Sequence, residues 1–226
     1  MSQEIKYVYL KSHPLFASLP EQKINEACQL AKVRTIYRGE TLGYGERSYS
    51  KIFLLIKGKI KITESTETET ELIKDILTAP DVFGDLSLDG KPPMDEFAEA
   101  LTANTVVCVF NVPDFKRLLQ ENPLMALSYA NMVNSKLKKL EGRHSDLVFR
   151  DAKSRLIRFI KNWAISDGNR IGDKIVLNNY LTHSDIAGVI ATSRQSVNTL
   201  LNELRDSGML FYNRKRIELN DFLNWN

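Results

Sequence analysis

The chain has 226 residues, 43% of them hydrophobic and 26% charged, an ordinary globular balance with length for two modest domains. No apolar run approaches the ~20 residues of a membrane helix. The start, Met1 to Lys6, has no signal-peptide core, and two cysteines, Cys28 and Cys108, exclude a disulfide framework or a four-thiolate cluster and point to a reducing cytoplasm. The net charge of +3 is uneven: residues 151–226 carry eleven Lys/Arg against eight Asp/Glu, and residues 1–150 carry twenty of each, an asymmetry that hints at nucleic acid.

Residues 14–32 read as a helix, with Pro20 at a first turn and Ile24, Ala27, Cys28 and Ala31 at helical spacing. Cys28 reads as a core thiol and His13 as a surface residue. From Arg34 to Phe110 the pattern changes to short strands. Lys59-Ile60-Lys61-Ile62-Thr63 alternates polar and apolar, and Gly39, Gly43, Gly45, Gly58, Gly84 and Gly90 punctuate the segment. The acidic run Glu64 to Glu71 reads as a solvated hairpin tip. Many short strands with glycine turns predict a sandwich or barrel.

Pro113 opens a helical stretch, and a long helix is predicted from about Asn122 to Phe149. Val133, Leu137, Leu140, His144 and Leu147 step by four and three, a heptad seam; such a helix could pack on its own domain, but its length and seam suit a two-stranded coiled coil, which favours a homodimer. Beyond Asp151 a further helix carries Leu156, Ile157, Phe159, Ile160 and Trp163 toward a core and breaks at Ser166-Asp167-Gly168-Asn169.

The most specific pattern lies between Leu181 and Leu219. Thr182 and Asp185 form a capping-box start. A short helix follows, with Ile186, Ala187 and Ile190 inward, then a turn at Ala191-Thr192. Ser193 caps a second helix that buries Val197, Leu200, Leu201 and Leu204. Arg194, Gln195, Asn198 and Thr199 face the other way, near its start. Two short helices joined by a tight turn, the second leading with Arg, Gln and Asn, make a helix-turn-helix. The major groove admits one helix, Arg pairs bidentately with guanine, and Gln or Asn with adenine. Thr182, His183, Ser184, Ser193 and Ser196 are candidate phosphate donors. Met209 to Tyr212 and Arg216 to Leu219 flank a turn, a small hairpin wing whose tip carries Arg214, Lys215 and Arg216 for the DNA backbone.

Nearly the whole chain, from Pro14-Leu15-Phe16 to Phe222, resembles the CRP/FNR family of bacterial transcription regulators. The resemblance is carried by Leu181-Thr182-His183-Ser184-Asp185-Ile186-Ala187 and Thr192-Ser193-Arg194-Gln195-Ser196-Val197. It extends to Arg38-Gly39-Glu40, Lys57-Gly58-Lys59-Ile60, Asp81-Val82-Phe83-Gly84-Asp85-Leu86 and Leu147-Val148-Phe149-Arg150-Asp151. It implies an α+β fold in three parts. Residues 1–112 would form a cyclic-nucleotide-binding-like β-roll, a double-stranded β-helix of jelly-roll or cupin type. Residues 113–150 would form a dimerisation helix and hinge, and residues 151–226 a winged helix-turn-helix. It implies a homodimer on double-stranded DNA at a roughly palindromic operator, with RNA polymerase as a further partner. It also places Arg194, Gln195 and Thr199 at the base-reading positions, where many members carry Arg, Glu and Arg.

The sensor half departs from the family's cyclic-AMP cassette, which runs Gly-Glu-Leu, a loop, then Arg-Ser-Ala. Here Gly84-Asp85-Leu86 has the shorter carboxylate, Met94 and Asp95 stand at the Arg-Ser positions, and no arginine occurs between Arg47 and Arg117. A cyclic phosphate beside Asp95 and Glu96 without a bidentate cation is repelled. Leu140 and Glu141 replace the adenine-contacting Thr-Ser pair. The reading is therefore against cyclic AMP and leaves the effector open. An iron–sulfur cluster lacks its cysteines, and haem lacks an axial ligand at depth. An alternative is a ligand-binding signalling module that recruits a protein through its C-terminal helices. No nucleophile motif, metal-ligand spacing or Walker-type loop supports an enzyme.

Overall fold

The computed structural model describes residues 3–43, 45–46, 49–65, 71–91 and 96–220. The chain divides into two compact units, Met1–Lys139 and Leu140–Asn226. The division falls inside the long helix.

In the first unit, helix α1 (Gln3–Ser12) precedes a one-turn 3-10 helix (Pro14–Phe16) and helix α2 (Glu21–Leu30). The single helix expected over 14–32 is thus two pieces, because Pro20 sits at the N-cap of α2 and Lys32 already belongs to a strand. Helix α1 has no clear signature in the sequence: its polar, tyrosine-rich residues bury only Leu10 and offer no clear periodicity.

The strands are β1 (Lys32–Ile36), β2 (Thr41–Gly43), β3 (Gly45–Glu46), β4 (Tyr49–Lys57), β5 (Lys59–Ser65), β6 (Glu71–Thr78), β7 (Asp81–Gly84), β8 (Glu96–Ala100) and β9 (Thr105–Asn111). They form two antiparallel sheets, one ordered β1-β9-β4-β3 with β7 also on β4, the other β2-β8-β5-β6. Phe53, Leu55, Val107 and Val109 share one core with Ile60, Ile62, Leu77, Ala98 and Ala100, so this core joins the two sheets. The alternate residues Ile52, Leu54, Cys108 and Phe110 pack with Leu15, Phe16, Ile24, Cys28 and Phe115. Both faces of β4 and β9 are covered, which is why these strands read as continuous apolar runs. Phe53 stacks on Phe83 at 4.8 Å between centroids, and burying each ring contributes roughly 2 kcal/mol.

Helix α3 (Val112–Glu121), with Pro113 in its first turn, leads into α4 (Pro123–Phe149), close to the range expected from sequence. The first half of α4 is fastened to the roll. Met125 and Tyr129 are buried, the Tyr129 hydroxyl donates to Leu86 O at 2.7 Å, and Lys136 pairs with Asp81 at 2.6 Å.

In the second unit, Asp151 caps α5 (Ala152–Asp167) by accepting from Ser154 N. Helices α6 (His183–Val189) and α7 (Arg194–Asp206) follow. Strands β10 (Asn169–Ile171), β11 (Lys174–Asn178), β12 (Leu210–Tyr212) and β13 (Arg216–Leu219) form one sheet in the order β10-β11-β13-β12. The wing is therefore four-stranded and larger than the expected hairpin, since β10 and β11 are short and carry little alternation. Leu156, Ile160, Trp163, Ile186, Ile190, Val197, Leu201, Leu204, Ile217 and Leu219 are buried. Among the described residues, no helix is long and apolar enough to cross a membrane.

Candidate nucleic-acid interface

Helix α6 begins with a complete capping box. Thr182 Oγ1 accepts from Asp185 N at 3.1 Å, and Asp185 Oδ2 accepts from Thr182 N at 2.8 Å. The Thr182 hydroxyl also donates to Asp185 Oδ2 at 2.7 Å. Thr182 is thus an exposed helix cap whose hydroxyl also bonds within the capping box. Such a cap stabilises a helix by ~1 kcal/mol.

The α6–α7 turn contains Ala191 at φ +51, a left-handed conformation that costs a residue with a β-carbon roughly 1–2 kcal/mol. The neighbouring carbonyls are held: Arg155 donates from Nε to Ile190 O at 2.8 Å and from Nη2 to Ala191 O at 3.1 Å. Ser193 then caps α7 by accepting from Ser196 N at 3.0 Å, and the two hydroxyls lie 2.9 Å apart. Because Val197, Leu201 and Leu204 are buried, the opposite side of α7 faces outward. Arg194, Gln195, Asn198 and Thr199 are all exposed there, as expected. Ser184 is exposed and His183 half-buried. The His183 ring lies 5.7 Å from that of Tyr212. Partial burial first, and the Arg194 charge second, hold its pKa below the ordinary histidine value.

The wing turn is built by Asn213, whose Oδ1 accepts from Lys215 N at 2.8 Å and Arg216 N at 2.9 Å. Asn179 Nδ2 donates to Asn213 O at 2.9 Å. This side-chain-closed turn leaves Arg214 and Lys215 exposed at the tip. Arg216 is exposed beside them at the start of β13, where its guanidinium pairs with Glu218, which also pairs with Lys174 at 3.4 Å.

The expected ligand cradle of the roll has a different construction. Gly84 has φ +99, and a Cβ there would lie 2.3 Å from Lys51 O, so only glycine fits. Asp85 is 1% exposed. Its Oδ1 accepts from the Ser87 hydroxyl at 2.7 Å and Leu88 N at 3.1 Å, and its Oδ2 from Gly90 N at 2.9 Å. The carboxylate kept from the family pattern thus folds the 85–90 loop on itself. Leu86, next to it, is half-buried and holds Tyr129 through its carbonyl. Glu64 stands opposite Glu96 across β5 and β8. Both share the face of the core residues Ile60, Ile62, Ala98 and Ala100. Lys74 pairs with both glutamates, at 2.8 Å to Glu64. Met94 and Asp95 lie outside the described residues, as does the tip of the acidic hairpin at 66–70. Among the described residues no group of three or more His, Cys, Asp and Glu could hold a metal ion.

Along α4, Val133 packs partly against the roll core. Leu137, Leu140 and Leu147 are 53%, 57% and 49% exposed. His144 and Glu141 are exposed as well. His13, read from sequence as a surface residue, is 2% exposed: its Nδ1 accepts from Leu15 N at 3.3 Å, capping the 3-10 helix, and its ring meets Phe16.

Two family models match the chain, a cyclic nucleotide-binding domain over residues 33–122 and a Crp-like helix-turn-helix domain over 154–222. A global nitrogen regulator of Synechococcus elongatus is 31% identical over 188 residues, 82% of this chain and 84% of that protein. A CRP-like cAMP-activated global transcriptional regulator of Mycobacterium tuberculosis is 22% identical over 81% of this chain and 82% of its own. Among solved structures, a mutant of CooA from Carboxydothermus hydrogenoformans shares the fold, with a TM-score of 0.75, 21% identity and 97% of each chain covered.

Proposed function

The chain belongs to the CRP/FNR family of transcription regulators, and from that premise we propose that it works as a homodimer that reads a roughly palindromic operator through α7 without cyclic AMP. The observation that carries the DNA reading is the outward row Arg194, Gln195, Asn198 and Thr199 on a helix whose other side is buried. Its leading end enters the major groove, and Arg214 and Lys215 follow the phosphates from the wing tip. Gln195 and Thr199 select an operator different from the one read by Arg, Glu and Arg. Ser184, Ser193 and Ser196 supply hydroxyls along the DNA side. RNA polymerase is the expected further partner.

Homodimerisation is supported by Leu137, Leu140 and Leu147. These large apolar side chains stand in the open at heptad spacing on one helix. The reading against cyclic AMP is supported by the Asp85 carboxylate, whose oxygens already accept from its own loop. The Glu64–Lys74–Glu96 group adds a net negative charge on the core-facing side of its sheet, where a phosphate is unwelcome.

Selection of bound duplexes from a random pool, with and without cyclic nucleotides, tests the whole reading. The expected product is one palindromic family, recovered equally in both arms. Recovery that depends on cyclic AMP overturns the sensor reading, and recovery of no preferred sequence overturns the DNA reading in favour of a protein-recruiting module.

A further inference from the structure

We propose that Arg155 is a positioning residue for base reading, its guanidinium mounting the α6–α7 turn on the junction between α4 and α5. The inference rests on the DNA-binding role of α7. Besides its bonds to Ile190 O and Ala191 O, Arg155 donates from Nη1 to Arg150 O at 2.7 Å. One planar group thus fixes three carbonyls, two in the turn and one just past the end of α4. Arg150 is itself anchored: its Nε donates to Asp146 at 2.9 Å, and the same carboxylate takes Arg158 of α5 at 3.1 Å.

The turn needs such a support. Ala191 holds a left-handed conformation without being glycine, and α7 begins at Arg194, three residues later. A shift of the turn therefore passes straight to Arg194 and Gln195, and base recognition tolerates only about 0.5 Å of looseness in its mount. A polar link from α5 to α7 itself, Lys153 to Glu203 at 3.1 Å, is half-exposed at both ends and holds little. Lysine cannot replace Arg155, because an ammonium lacks the rigid fork that spans three acceptors at once. The wing turn is built by Asn213 and Asn179, so phosphate contacts through Arg214 and Lys215 do not depend on the clamp.

The test uses the full-length protein, a duplex selected by the wild type and a scrambled duplex of equal length. Affinity for both is measured over a salt series for wild type, Arg155→Lys and Arg155→Ala, along with the thermal midpoint. The expected result for Arg155→Lys is a fall of about tenfold in the ratio of selected to scrambled affinity, with the scrambled affinity, its salt slope and the midpoint unchanged. Arg155→Ala falls at least as far, and methylguanidinium restores part of its ratio relative to sodium at equal ionic strength. If Arg155→Ala does not fold, Arg155→Lys decides. An undiminished ratio in a folded variant overturns the inference, as does an equal fall on both duplexes together with a lower midpoint. A wild type that prefers no duplex is a separate outcome, seen before any variant is made; it overturns the DNA-binding premise and the inference with it.

Discussion

Burial holds the His13 imidazole neutral down to a pKa of about 4, with the nearby Asp81 opposing the shift only in part. The unfolded chain, with an ordinary histidine, binds its proton first as the pH falls. The contribution of His13 to stability is therefore whole above about pH 6.5 and is lost between there and pH 4, by roughly 3 kcal/mol. Urea unfolding midpoints of wild type and His13→Asn should diverge in slope over that window, the variant being flatter; parallel curves would show that His13 is not the group concerned. At the interface, Arg194 is the residue with most to lose. Arg194→Ala should weaken binding to the selected duplex by ~1–3 kcal/mol and relax preference at one base position. Operator preference that survives the change intact would sink the assignment of α7 as the reading helix. Neither prediction needs the other: His13 lies in the roll unit and Arg194 in the unit that begins at Leu140.

Helices α6 and α7 were legible because their signals are local. Thr182 with Asp185, and Ser193 with Ser196, are caps whose partners lie three residues on. The inward rows repeat every three or four residues. The same locality made the start of α4 readable at Pro123 to within a residue. The wing was legible only in part. Its tip followed from Asn213 and the charges after it, but β10 and β11 join the sheet through pairing with strands far along the chain, β11 lying against β13, and three to five residues hold too little pattern to announce that. With Arg216 tied to Glu218, Arg214 and Lys215 are the tip charges proposed to follow phosphates. Replacing either with alanine should weaken binding to all duplexes alike and lower the log–log salt slope by about one. A change confined to the selected duplex would move these residues from the backbone to the bases.

For the whole molecule, the proposed dimer contact lies on the exposed stripe of α4. A heptad seam is weakly stable without a partner helix, and leucines left in water favour association. Leu137→Glu with Leu147→Glu should give a monomer by sedimentation whose roll and helix-turn-helix stay folded, because neither side chain is part of a buried core. The monomer should bind a half-site weakly and lose its preference for the full palindrome. A double variant that sediments as the wild type does would remove α4 from the dimer contact. The seam was read from spacing alone, with one exception: Val133 fits the heptad yet packs partly on the roll, because the first half of α4 is drawn down by Tyr129 and Lys136.

The sequence by itself determined the helix-turn-helix with its caps, the heptad row and the family, because each is written in residues a few positions apart. Only the tertiary structure decided what polar groups do once they are enclosed. It turned Asp85 into the clasp of its own loop, enclosed His13 as the cap of the 3-10 helix and placed Arg155 under a turn 35 residues away. A side chain shows its type in a sequence. Its partner is set by which surfaces the fold brings together, and a hydrogen bond across a long stretch of chain leaves no period to read.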